Sequence, residues 1–119
     1  MKKPIDQILI IFGASGDLTK RKLIPALFEL YIQNLLPENF AVLGVSRSVF
    51  SDEEFRLKMD EFLPANDKAI KFKSLLFYQS LAVVERKEYG KLDQRLNEIS
   101  KNLNIQQNYI FYLSTPPSM

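Results

Sequence analysis

The sequence predicts an α/β fold: a parallel sheet wound by helices on both faces, with its strands in the order 3-2-1-4. Three observations predict it. The run Ile8-Leu9-Ile10-Ile11-Phe12 is apolar throughout and meets Gly13, as a strand buried on both faces does when it ends in a tight turn. Strand-like runs then alternate with stretches of helical periodicity, the mark of βαβ units. Right-handed crossovers in such a chain give the doubly wound order.

Each element has its own signal. Residues 7 to 12 make the first strand. Leu23, Ala26, Leu27, Leu30 and Tyr31 recur at helical spacing and form one apolar face. Proline is tolerated only near a helix start, so Pro25 implies a short turn over Gly16 to Arg21 and a main helix beginning near Leu23 or Ile24. Leu36-Pro37-Glu38-Asn39 is expected to close that helix. Phe40 to Ser46 is a second buried strand. Ser51 reads as the N-cap of the next helix and Glu54 occupies the capping-box position. Phe55, Met59 and Phe62 give that helix its apolar face, and Leu63-Pro64-Ala65-Asn66-Asp67 breaks it. Lys68, Lys71 and Lys73 read as a solvated loop. Leu75 to Leu81 is a third strand. Glu85 to Asn102 is a third helix, burying Tyr89, Leu92, Leu96 and Ile99. Tyr109 to Ser114 is a fourth strand, stopped by Thr115-Pro116-Pro117. Phe55, Phe62, Phe72, Phe77 and Tyr78 read as core, because no basic face accompanies them as a base-stacking platform would require.

The chain has 119 residues, enough for one domain over 1–119 with a real core. A hydrophobic fraction of 46% and a charged fraction of 25% are those of a globular domain. The net charge of +2 gives no reason to expect nucleic acid or an acidic membrane as partner. With no cysteine there is no disulfide frame and no thiolate nucleophile, which fits a reducing compartment. With no histidine, the commonest acid–base near neutral pH and the commonest metal ligand are both missing. Met1-Lys2-Lys3 before an apolar run superficially resembles a leader, but the run is short and Asp17 to Lys22 follow at once. A buried strand and a cytoplasmic location are expected.

In doubly wound sheets, ligands bind at the carboxyl ends of the strands. The Gly13 loop, Ser46-Arg47, Leu81-Ala82-Val83 and Thr115-Pro116 all fall there. Gly13 and Gly16 permit close backbone approach, and amides opening the next helix attract anions. Lys20, Arg21 and Lys22 crowd the first helical turns, which costs stability unless an anion compensates. Together these read as a phosphate site, although a loose Gly-x-x-Gly pair alone is more often an ordinary turn. The second strand ends Val45-Ser46-Arg47-Ser48 with no carboxylate before Asp52. An acid there would hold the ribose hydroxyls of NAD, whereas an arginine accommodates a 2′-phosphate. Arg47 alone reads equally as an arginine solvating a strand end; beside the Gly13 loop it favours NADP. A Walker-type loop is excluded by spacing. A short-chain reductase wants a further glycine where Thr19 stands, and a tyrosine with a lysine four residues on, which none of the five tyrosines has.

The segment Gly13-Ala14-Ser15-Gly16-Asp17-Leu18-Thr19-Lys20-Arg21-Lys22-Leu23, followed by Pro25, closely resembles the N-terminal signature of the glucose-6-phosphate dehydrogenase family. The likeness continues through Val42-Leu43-Gly44-Val45-Ser46-Arg47 and Asp52-Glu53-Glu54-Phe55. It returns at Asn108 to Ser114 with Pro116-Pro117. It covers nearly the whole chain and implies a Rossmann-like domain. By resemblance, Gly13, Ala14, Ser15, Gly16, Asp17, Leu18, Thr19 and Lys20 form the loop around the cofactor pyrophosphate, Ser15 donating to it and Asp17 positioning or capping the loop. By the same resemblance Arg47 selects the 2′-phosphate of NADP. Lys22, otherwise a solvated helix lysine, lies near substrate and cofactor, and Ala82, Val83, Thr115 and Pro116 line the cofactor. The third strand departs from the family's Gly- or Asp-bearing ending.

The family's enzyme is several times longer and oxidises glucose 6-phosphate to 6-phosphogluconolactone with a histidine base. Its members are dimers or tetramers through contacts that lie mostly outside the stretch matched here. This chain has no histidine, so no residue of it is assigned a catalytic role. Ending at Ser118-Met119 just after a strand, it reads as the truncated cofactor-binding segment of such an enzyme, inactive alone. A stand-alone, non-catalytic nucleotide-binding module is the other reading.

Overall fold

The computed structural model describes residues 5–14, 19–81, 86–105 and 108–113; the side chains of Lys20, Arg86 to Tyr89 and Leu113 are outside the description. Four strands, β1 (Gln7–Phe12), β2 (Phe40–Ser46), β3 (Leu76–Ser80) and β4 (Tyr109–Leu113), pair in parallel in the order β3-β2-β1-β4. The expected order is therefore the observed one. The register sets Ile11 opposite both Gly44 and Tyr112, and Gly44 opposite Tyr78.

Because side chains alternate along a strand, the sheet sorts its apolar residues into two layers. Ile11 and Val42 join Ile24, Leu27 and Phe28 of α1 (Ile24–Ile32), Phe55 and Met59 of α2 (Asp52–Met59), and Ala69 and Phe72 of α3 (Asp67–Lys73). Ile8, Ile10, Ala41, Leu43 and Val45 face the other way, onto Leu92, Leu96 and Ile99 of α4 (Arg86–Leu103). Each fully buried aliphatic contributes roughly 1.5–3 kcal/mol, so both layers hold the sheet firmly. The jump from β3 across to β4 makes a switch point between β1 and β4, beside the carboxyl end of β1.

Helices differ from expectation in three places, one of them Phe62, which lies in a 3₁₀ turn (Asp60–Phe62) just after α2 rather than on its face. The helix α1 stops at Ile32 rather than near Leu36: Asn34 takes a left-handed φ of 61° and Leu35 N–H bonds the Leu30 carbonyl at 2.9 Å, a Schellman-type closure. The stretch around Lys68, Lys71 and Lys73 is helix α3, not loop. Asn66 caps it by accepting from Ala69 N–H at 2.9 Å, and Ala69 and Phe72 supply its buried face. The capping box of α2 is formed as expected, with Glu54 N–H on Ser51 Oγ at 3.1 Å and Ser51 N–H on Glu54 Oε1 at 2.9 Å. At the amino ends of the strands, Asp6 binds the Asn39 backbone and side-chain amides at 3.1 and 2.9 Å, tying β1 to β2.

The two sheet edges are unlike. Along β3, Arg56 Nε donates to the Leu76 carbonyl at 2.8 Å and Asp52 Oδ1 accepts from Tyr78 N–H at 2.8 Å, while Arg95 pairs with the other oxygen of Asp52. Along β4, Ile110, Phe111 and Tyr112 remain 46%, 59% and 40% exposed.

Candidate dinucleotide-binding site

The carboxyl end of β1 turns at Gly13, whose φ of 80° is in the region that favours glycine. The amides of Gly13 and Ala14 both bond the Val45 carbonyl, at 2.8 and 3.2 Å. Both amides are therefore already engaged within the protein. Ser15, Gly16, Asp17 and Leu18, the core of the predicted loop, lie outside the described residues, as do Ala82, Val83, Thr115 and Pro116. The loop's two described ends are buried: Ala14 is 1% exposed and Thr19 0%.

Gly44 of β2 explains why Ala14 can lie so close to the sheet. A Cβ at this position would come within 2.8 Å of both Ala14 Cβ and Phe55 Cζ. Ala14 and Phe55 of α2 thus meet over a strand that has no side chain to offer there. Strand glycine is a signal of close approach, and it could have marked Gly44 from sequence.

After the loop comes a π-type turn, Thr19–Leu23, running directly into α1. Pro25 has no amide for the Arg21 carbonyl, which fits a change of hydrogen-bond register at this point. Of the three cations, Arg21 stacks over the Phe62 ring at 5.9 Å and Lys22 is exposed on the turn, while the side chain of Lys20 lies outside the described residues.

At the end of β2, three successive residues are tied to β3. The Ser46 carbonyl accepts from Leu81 N–H at 2.8 Å, the Arg47 carbonyl from Ser80 Oγ at 3.4 Å, and the Ser48 carbonyl from the Tyr78 hydroxyl at 2.5 Å. Ser46 Oγ bonds the same phenol. Burial pushes the Tyr78 pKa above its ordinary 10.0, against a smaller opposing effect of the Ser46 hydrogen bond. The Arg47 side chain is exposed and forms no ion pair or hydrogen bond with another described residue. The first carboxylate past β2, Asp52, is already occupied by Tyr78 N–H and Arg95. The sequence marks Arg47 but reads Tyr78 only as core, because the partners of its hydroxyl lie 30 and 32 residues away.

Comparisons with known proteins agree with this geometry. The family model described as "Glucose-6-phosphate dehydrogenase, NAD binding domain" matches residues 10–119. Among curated relatives, glucose-6-phosphate 1-dehydrogenase of Aggregatibacter actinomycetemcomitans is 46% identical over 93% of this chain and 24% of its own length. The chloroplastic enzyme of Spinacia oleracea is 40% identical over 93% of this chain and 20% of its own. The chain thus spans about a quarter or less of the length of these relatives. A solved structure of glucose-6-phosphate dehydrogenase in complex with its substrate glucose-6-phosphate superimposes with a TM-score of 0.85 and 33% identity, over 99% of this chain and 26% of that one. A glucose-6-phosphate 1-dehydrogenase from Mycobacterium avium, 23% identical with a TM-score of 0.76, shares the fold over 97% of this chain and 24% of that one. The matched domain is NAD binding, so the class of cofactor is a nicotinamide dinucleotide. With the doubly wound sheet, the low loop at Gly13 and a family match over residues 10–119, the chain belongs to the glucose-6-phosphate dehydrogenase family, as its NAD binding domain.

Proposed function

We propose that this chain is the cofactor-binding part of an NADP-dependent glucose-6-phosphate dehydrogenase, which oxidises glucose 6-phosphate to 6-phosphogluconolactone. The observation that carries the choice of NADP is the end of β2: an exposed Arg47 without a described partner, beside a first carboxylate that is already engaged twice. A guanidinium offers a planar fork to a 2′-phosphate, whereas a ribose diol wants an acid. The residues fit the group. Gly13, Ala14, Ser15, Gly16, Asp17, Leu18, Thr19 and Lys20 would surround the pyrophosphate. Arg47 would take the 2′-phosphate, and Ala82, Val83, Thr115 and Pro116 would line the cofactor. Lys22, exposed just past the loop, would stand between cofactor and substrate. The bound dinucleotide supplies the hydride acceptor. The rest of the enzyme would provide the sugar-phosphate site, the proton acceptor and the contacts of a homo-oligomer. A cytoplasmic setting is part of this reading.

Calorimetric titration of the chain with NADP and with NAD, repeated on Arg47→Ala, tests the cofactor half. Loss of a charge-assisted contact to phosphate is expected to weaken NADP by roughly tenfold or more, with NAD changed little. Equal weakening of both, or no change in either, would sink the assignment of Arg47.

A further inference from the structure

Tyr78 lies 4% exposed in the apolar layer, with its ring 5.2 Å from Phe50 and 5.1 Å from Phe55. Its hydroxyl reaches past that layer to the turn after β2, donating to the Ser48 carbonyl and accepting from Ser46 Oγ. One phenol thus grips the residues on both sides of Arg47. Beside it, Ser80 Oγ holds the Arg47 carbonyl itself. The Arg47 backbone is therefore clasped from β3 while its side chain remains in solvent.

We propose that Tyr78 is a positioning residue for cofactor discrimination: its hydroxyl sets the backbone of the Ser46–Ser48 turn so that the Arg47 guanidinium stands where a 2′-phosphate arrives. This rests on the reading of Arg47 as the 2′-phosphate ligand. Tyr78 touches no part of the dinucleotide in this scheme. A planar fork rewards orientation as well as charge, so a turn freed to shift would keep the positive charge near the ligand but lose the aligned geometry. The pyrophosphate loop is anchored separately, through Val45, and does not depend on the phenol. Discrimination and general dinucleotide affinity are then separable in this fold.

The test compares the ratio of NADP to NAD dissociation constants in the wild-type chain, Tyr78→Phe, Ser80→Ala and Arg47→Ala, with thermal melting of each. Tyr78→Phe keeps the ring in its apolar setting and removes only the clasp. It is expected to shrink the preference for NADP by roughly three- to tenfold, the effect of one lost hydrogen bond, with NAD affinity unchanged. Ser80→Ala, which removes the neighbouring clasp on Arg47, is expected to move the ratio in the same direction by a smaller factor, and serves if Tyr78→Phe does not fold. A merely structural role would weaken NADP and NAD alike and leave the ratio where it was; that result overturns the proposal. If Arg47→Ala leaves the ratio unmoved, the reading beneath it fails as well, whereas a ratio that responds to Arg47→Ala and not to Tyr78→Phe or Ser80→Ala overturns the positioning role alone.

Discussion

Gly44 shows how a residue without a side chain can govern a site. Adding one methyl group there forces Ala14 or the Phe55 ring to move, since both stand 2.8 Å from where the Cβ would be. Gly44→Ala is expected to destabilise the chain by about 1–3 kcal/mol, the usual cost of overpacking. Because Ala14 opens the loop, the same change is expected to weaken NADP and NAD together, unlike Arg47→Ala. A melting midpoint and affinities equal to wild type would show that the loop can ride up without consequence. Residue by residue, the sequence was most legible where chemistry is local. Gly13 signals a turn and has the positive φ that a turn of this kind needs, and Arg47, marked in the sequence by the carboxylate missing beside it, is exposed in the structure. Tyr78 and Gly44 do not stand out in the sequence, because their partners are distant in it: Tyr78 meets Ser46 and Ser48 through the pairing of β2 with β3, and Gly44 meets Ala14 and Phe55 where the end of β1 and α2 close over β2.

At the scale of elements, the strands were read well because buried apolar runs have few other meanings, and the capping box marked the start of α2 to the residue. Substituting Ser51→Ala removes the acceptor for Glu54 N–H and is expected to cost about 1 kcal/mol, with Ser51→Gly losing only a few tenths. Urea midpoints of the two variants check this; identical losses would mean that the cap contributes through backbone freedom instead. The helix α3 escaped notice for a physical reason. In seven residues it buries only Ala69 and Phe72, too few positions for periodicity to show; Lys68 and Lys71 are exposed, and Lys73 is half-buried in a pair with Asp60. The early stop of α1 was hidden because an asparagine in the left-handed conformation closes it, where a glycine would have been easier to read.

The whole molecule divides its labour between a firm sheet and the loops at one end of it. One edge, β3, is closed by Arg56, Asp52 and Arg95, while the other, β4, leaves Ile110, Phe111 and Tyr112 exposed. Among the described residues no helix is long and apolar enough to cross a membrane. With no histidine in its 119 residues, the chain has no side chain whose ordinary pKa suits proton abstraction near neutral pH. Given NADP and glucose 6-phosphate, it is therefore expected to form no NADPH by itself; turnover from these residues alone would overturn the proposed separation of cofactor binding from proton transfer. The bifurcated bond at Val45 has a thermodynamic side. One carbonyl of β2 holds the start of the β1 loop, and two residues later the same strand delivers Arg47. The span between the two anchoring points is thus set by the sheet before any ligand arrives. On the proposed reading, a dinucleotide bridging them would meet a gauge of fixed length, and less of its binding free energy would be dissipated in ordering the protein.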